Sequence, residues 1–457
     1  MKLQQYQLPC LSLSSYLIGD ESSGRAVVVD PQRDIGQYLA DAAEHSLEIT
    51  HVLLTHFHAD YVSGHLELAE ATGAEICLSA VAEAEFPITH LADGDRIELG
   101  DVVIQTWQTP GHTPESATFL VFEHAGDDVP AAILTGDTLF VNDVGRPDLL
   151  GAIGFTAEQL GAQLYDSVHR LLSLPDEVLV YPGHGAGSAC GKALGSDPFT
   201  TVGEQRTENY ALQPMSKEDF VALVTEGQPA APSYFLHDAI TNRQQHEVFD
   251  EAGPFEPIGF EGAVAALDDG SVIVDTRDPV EFALGHIRGS VNVPLDGRFA
   301  EQAGMVVPAD ADVIVAGEPE REREARTRLG RIGFDRASRY IADYAVQLVE
   351  HPDLVGVSRR LVASDVAGLD LADVQLLDVR NPGETAAGVI PGAIEIPLGA
   401  LPQRRDELDD GRPVVAYCAS GQRSSVAASW LRREGFDDVA DVIGGYQAWE
   451  LLGASMS

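Results

Sequence analysis

Residues 52–60 read VLLTHFHAD, an apolar run of strand length that stops at Thr55 and is followed by His56, His58 and Asp60. Short runs rich in Val, Ile and Leu read as buried strands, and the polar residues after them mark the strand end. Three more runs end in the same way: TWQTPGH at His112, AILTGD at Asp137 and VLVYPGH at His184. Imidazoles and carboxylates at successive strand ends converge on one edge of an α/β layer, which is where a metal centre is built. The segments between them alternate, with RAVVVD (25–30) a strand, IGQYLADAAEHS (35–46) a helix and SGHLELAEATG (63–73) a second helix.

The chain has 457 residues, of which 72 are acidic and 29 basic, for a net charge of −43. Only Lys2, Lys192 and Lys217 are lysines. The acids run through all regions and form no tail, as expected for a protein kept soluble in a salt-rich, halophilic cytoplasm. Such a charge disfavours nucleic acid as a partner. No stretch is apolar enough for a membrane span, and the first residues lack a cleavable leader pattern, so the expectation is a cytoplasmic protein off the membrane, assembling as a homo-oligomer. Cys10, Cys77, Cys190 and Cys418 are too scattered for a disulfide framework. Cys10 and Cys77 read as small buried thiols.

Beyond a loop-like stretch, EAGPFEPIG (251–259), the chain repeats itself. VIVDTRDPVEFALGHIRGSVNVPL (272–295) lines up with QLLDVRNPGETAAGVIPGAIEIPL (375–398) at an offset of 103, pairing Asp275 with Asp378 and Arg277 with Arg380. VIVAGEPEREREARTRLGRIGF (313–334) then aligns with VVAYCASGQRSSVAASWLRREGF (414–436) at an offset of 102, which sets Cys418 opposite Ala316 or its neighbour Val315. The expected organisation is a metal domain (1–250), a first repeat copy without a cysteine (256–352) and a second copy with one (360–457).

The ordered set THFHADYVSGH, PGHTPES, TGD and YPGHG resembles the metallo-β-lactamase superfamily over about the first 200 residues. The resemblance implies a four-layer αββα sandwich with metal at one edge of its two sheets. Two-metal members of the glyoxalase II type use a His after the Asp of HxHxDH, and here that residue is Tyr61, a poor zinc ligand. Persulfide dioxygenases of the superfamily keep one iron on two His and one Asp, and the matching positions are His56, His112 and Asp137. That set leaves open positions for a substrate sulfur and dioxygen on Fe(II). His58, Asp60, Tyr61 and His184 would then orient the ligands or bind water.

The same enzymes carry a Gly-Arg element whose Arg contacts the substrate thiol; the match is Arg146 in TLFVNDVGRPDLLG, with an ion pair to Asp148 as the plainer reading. Cys190, in GHGAGSACGK after His184, is a candidate to take sulfur near the metal or a small buried thiol in a tight loop.

In YCASGQRSS (417–425) a cysteine ends a strand, four residues lead to Arg423, and a helix follows. Loop amides, the helix N-terminus and Arg423 direct positive charge at the sulfur. The loop resembles that of the rhodanese family, as do LLDVR and the IPGA turn (390–393); tyrosine phosphatases place five residues between Cys and Arg, and their ring is larger.

The implied protein is a persulfide dioxygenase, with one Fe(II) per chain, joined to a rhodanese with Cys418 and Arg423 as catalytic residues. Its substrates would be a small thiol persulfide, O2, and sulfite or thiosulfate, in sulfide detoxification. Two alternatives stand beside it, a di-metal thioester hydrolase and a non-catalytic persulfide carrier.

Overall fold

The computed structural model describes residues 1–149, 154–228 and 231–456, with the side chains of 454–456 excepted. Two compact units are found, one of residues 1–229 and 238–249, the other of 230–237 and 250–457. Residues 231–237, placed by the sequence pattern with the first domain, pack in the second unit, where Ser233 Oγ donates to Gly304 O at 3.1 Å.

The first unit holds two six-stranded sheets. One runs β1 (Lys2–Leu8), β2 (Leu13–Asp20), β3 (Arg25–Val29), β4 (Glu48–Leu53), β5 (Glu75–Ser79), β6 (Thr89–Leu91), antiparallel as far as β3 and parallel afterwards. The other orders Thr200–Thr201, Leu179–Pro182, β10 (Ala132–Gly136), β9 (Ala117–Phe122), β8 (Val103–Gln108), β7 (Arg96–Glu98). Between the sheets lie Val27, Val29, Leu53, Phe119, Val121 and Leu134. The opposite faces are also buried. Val28 and Val52 pack with Tyr38 and Ala42 of α1 (Gly36–Glu44), and Leu120 and Ile133 with Leu164 and Val168 of α3 (Ala157–Leu171).

Burial on both faces is why these strands read as unbroken apolar runs, and each fully buried Val or Leu contributes about 1.5–3 kcal/mol. α3 starts in a capping box of Thr156 with Gln159 and buries Leu160, Leu164, Val168 and Leu171, one helical stripe. The layers are helix, sheet, sheet, helix, as the resemblance implies.

The second unit holds two five-stranded parallel sheets of matching order. The first is Glu256–Pro257, Arg339–Tyr340, Val313–Ala316, Val272–Asp275, Val291–Asn292; the second is Arg359–Leu361, Val439–Val442, Val414–Tyr417, Gln375–Asp378, Ile394–Glu395. Their registers correct one detail of the repeat. Asp275 pairs with Ala316, and its counterpart Asp378 pairs with Tyr417, so Gly317 stands where Cys418 stands in the second copy. The stretch from Gly317 to Phe334 is one residue shorter than that from Cys418 to Phe436, which displaced the sequence alignment.

Candidate metal centre and cysteine loop

β4, β8, β10 and the strand Leu179–Pro182 all deliver their following residues to the same edge of the sandwich. His56, His112 and Asp137 form one buried group of potential ligands, and His58, Asp60 and His184 a second. His112 Nε2 lies 3.5 Å and His56 Nε2 4.0 Å from Asp137 Oδ2, while His184 Nε2 lies 3.5 Å from Asp137 Oδ1 and 3.4 Å from Asp60 Oδ2. Asp137 therefore stands between the two groups.

Both Asp137 oxygens, Asp60 Oδ1 and His184 Nε2 are buried without a hydrogen-bond partner. Orphaned acceptors and imidazole nitrogens gathered at this range carry a large desolvation cost in the apoprotein, which a bound cation would offset. The residues present thus fit a metal. Burial, with His58 beside it, holds the His56 imidazole well below its ordinary pKa, in the neutral form that ligates.

These side chains are oriented from behind. His56 Nδ1 pairs with Thr55 Oγ1 at 2.9 Å, His112 Nδ1 with Arg146 O at 2.9 Å and His184 Nδ1 with Ser12 O at 3.1 Å. Asp30 accepts from the Thr55 amide and hydroxyl, both at 2.8 Å, and lies 3.1 Å from His58 Nε2. Burial works against a charged His58, yet Asp30 raises its pKa above the ordinary value. Asp30 was not singled out from the sequence, although RAVVVD ends in an acid as VLLTHFHAD and AILTGD do. Carboxylate–histidine pairs of this kind fix ring orientation and basicity.

Tyr61 is fully buried, stacks near His58, and its hydroxyl donates to Asp30 O at 3.1 Å. Arg146 is 3% exposed, so it is no surface residue. Its Nε and Nη2 donate to Asp148 at 2.8 and 2.6 Å and its Nη1 to Ala189 O at 3.1 Å, which ties the segment carrying Cys190 to the His112 side of the centre. Cys190 is buried and forms a third group of potential ligands with Asp137 and His184. Burial, reinforced by Asp60 and Asp137, pushes its thiol pKa well up.

In the second unit Cys418 follows the strand Val414–Tyr417 directly and is buried. Gly421 N donates to its sulfur at 3.1 Å, and Ser424 Oγ lies 3.7 Å away. Gly421 has φ +103° and opens the helix Gln422–Arg433. Tyr446 N donates to Cys418 O at 2.7 Å. A Cβ on Gly445, whose φ is +54°, would lie 2.2 Å from that oxygen, so the loop closes only over a glycine.

Arg423 is paired with Glu384 through two hydrogen bonds of 2.7 and 2.6 Å. Although burial disfavours its charge, Glu384 lies below its ordinary pKa because of that guanidinium. Glu384 carried no signal of its own in NPGETAAG. In the first copy a Cβ on Gly317 would come 2.1 Å from Thr276 Oγ1. Gly317→Cys, placed in a Cys418→Ser background, is expected to lower the melting temperature and restore no sulfur transfer; recovered turnover would show the first copy to be competent.

A metallo-β-lactamase superfamily model matches residues 8–184, and a rhodanese-like domain model matches 261–344 and 366–452. The mitochondrial persulfide dioxygenase ETHE1 of Homo sapiens is 31% identical over 225 residues, covering 49% of this chain and 80% of that protein. A hydroxyacylglutathione hydrolase of Cereibacter sphaeroides is 31% identical over 246 residues, 53% of this chain and 86% of that one. The crystal structure of a metallo-β-lactamase from Staphylococcus aureus superposes with a TM-score of 0.67 at 32% identity, over 74% of this chain and 98% of its own. No helix among the described residues is long and apolar enough to cross a membrane. The αββα unit, its edge of His and Asp ligands and the paired sheets behind it have one meaning: the chain belongs to the metallo-β-lactamase superfamily, with persulfide dioxygenases among its homologues and two rhodanese-like domains after its metal domain.

Proposed function

We propose that the chain is a persulfide dioxygenase and sulfurtransferase of a salt-rich cytoplasm, acting in sulfide detoxification. The observation that carries this reading is the joint presence of the His56, His112 and Asp137 group with Tyr61 beside it, and a cysteine cradle at Cys418. One Fe(II) held by those three side chains would supply the redox chemistry and open positions for a sulfur and for O2. A small thiol persulfide, O2 and water give the thiol, sulfite and two protons, with two of sulfite's oxygens from O2 and one from water.

The chain's part is to keep His56 neutral, hold His112 through the Arg146 carbonyl and hold His58 through Asp30. The Arg146–Asp148 pair gives the thiol carrier a fixed wall, with Cys190 beside it. At Cys418 the thiolate attacks the outer sulfur of a persulfide or thiosulfate. The donor's S–S bond breaks, an S–S bond forms on Cys418, and sulfite can take the sulfur off as thiosulfate.

A two-metal thioester hydrolase has its own supporting observation, the second group of His58, Asp60 and His184. Metal content and oxygen uptake separate the readings. Protein purified anaerobically and loaded with Fe(II) is expected to hold one iron per chain by elemental analysis and to consume O2 with glutathione persulfide in molar KCl, producing sulfite or thiosulfate. Two zinc ions with thioester cleavage and no uptake would overturn the dioxygenase in favour of the hydrolase. Failure to hold any metal would leave Cys418 as a carrier alone.

A further inference from the structure

The cysteine-free copy reaches into the helix that builds the Cys418 cradle. Its edge strand Val291–Asn292 offers an unpaired side, and the helix Gln422–Arg433 of the other copy fills it. Asn292 N donates to Ser429 Oγ at 2.9 Å, and Ser425 Oγ donates to Asn292 Oδ1 at 2.6 Å. The amide nitrogen of Asn292 is spent in its own copy, on Asp275 O at 3.0 Å and Arg277 O at 2.9 Å, so the side chain cannot turn. All three residues are buried.

At the other end of the helix, Arg433 donates to Gly289 O and Ser271 O, both at 3.2 Å and both in the first copy. The helix is therefore pinned at its first turn and its last. Ser425 directly follows Ser424, whose hydroxyl lies beside the sulfur, and stands four residues after Gly421, whose amide points at it.

The second copy shows what the position is without this task. Sheet register matches Asn292, paired with Asp275, to Glu395, paired with Asp378, and Glu395 is exposed. An asparagine buried at the edge that meets the neighbouring helix, with both side-chain polar atoms and its backbone N–H used, is a device serving that neighbour.

We propose that the cysteine-free copy is a positioning element for Cys418, acting through Asn292. It fixes the rotation and height of the helix whose first turn supplies the Gly421 amide and the Ser424 hydroxyl to the sulfur. The proposal rests on the sulfur-transfer reading for its purpose, though its contact is tested without turnover.

The full chain and its Asn292→Ala, Ser425→Ala and double variants would be compared. The readouts are the rate at which iodoacetamide alkylates Cys418, mapped by peptide mass, the kcat and KM for thiosulfate with cyanide as acceptor, and the melting temperature. Each single variant is expected to lose about tenfold in alkylation rate and in kcat, with KM for thiosulfate within about twofold. The double variant should lose no more than Asn292→Ala alone, because Ser425 acts through its one bond to Asn292. Parental alkylation and turnover in the folded single variants would overturn the proposal, as would a double variant whose losses multiply. If Asn292→Ala does not fold, Ser425→Ala, which removes one oxygen from a helix, decides alone. A parent that alkylates at Cys418 yet transfers no sulfur would sink the transfer reading, and the alkylation series would still decide the positioning role.

Discussion

His112→Ala is expected to cut persulfide-dependent oxygen uptake by more than about 100-fold while leaving thiosulfate:cyanide sulfur transfer within about twofold of the parent. The first half follows from what His112 holds. Its Nε2 is 3.5 Å from Asp137 Oδ2, and its Nδ1 bonds the Arg146 carbonyl. Alanine removes one of the three proposed ligands, leaves Asp137 with one imidazole fewer beside it, and frees a buried carbonyl. Second-sphere losses alone cost 10–100-fold in such centres, and a direct ligand costs more.

The second half follows from the division of the chain. His112 belongs to one compact unit and Cys418 to the other, and the sulfur's partners are residues 421 and 424 of its own loop. Iron content, oxygen uptake and cyanide-dependent thiocyanate formation would be measured on the same preparation. Loss of both activities from folded protein would mean that the two sites do not act separately.

The gathering of these His and Asp side chains at one edge was legible because each follows a strand whose apolar run is hard to mistake. His56, His112, Asp137 and His184 fall within four residues of a strand end, so the fold had only to bring parallel ends together. What orients them was not legible. Ser12 and Arg146 contribute carbonyl oxygens, and a backbone acceptor leaves no trace in the residue type.

Arg146 read first as a substrate contact, with an ion pair to Asp148 as the plainer alternative; the pair is present and Arg146 is buried, which the residue types alone do not encode. The repeat was plain from Asp275 and Asp378 onward, yet the residue facing Cys418 came out one place early. Identity between helices is blind to where a one-residue length difference falls, and only strand register placed Gly317 there. Asn292 lies in SVNVP, a segment that reads as an ordinary strand end, because its partners Ser425 and Ser429 are more than 130 positions away and belong to the other copy.

Cys418→Ser is expected to reduce sulfur transfer by at least about 1000-fold, the scale on which removal of a covalent nucleophile acts, and to leave oxygen uptake within about twofold. A serine oxygen would still accept the Gly421 amide, so the loop should keep its shape and the melting temperature should stay close to the parent's. What is lost is chemical: an alkoxide is not available near neutral pH and cannot carry sulfane sulfur, whereas a thiolate forms an S–S bond that sulfite or cyanide can later break. Incubation with thiosulfate should add one sulfur to the parent, seen by intact mass and located on the peptide bearing Cys418, and add none there in the variant. Sulfur found on Cys190 in the Cys418→Ser protein, together with residual transfer, would move the acceptor to the first unit. That outcome has a physical obstacle, since burial, reinforced by Asp60 and Asp137, pushes the Cys190 thiol pKa well up. Cys418 instead accepts the Gly421 amide at the start of the helix Gln422–Arg433, which presents positive partial charge to the sulfur.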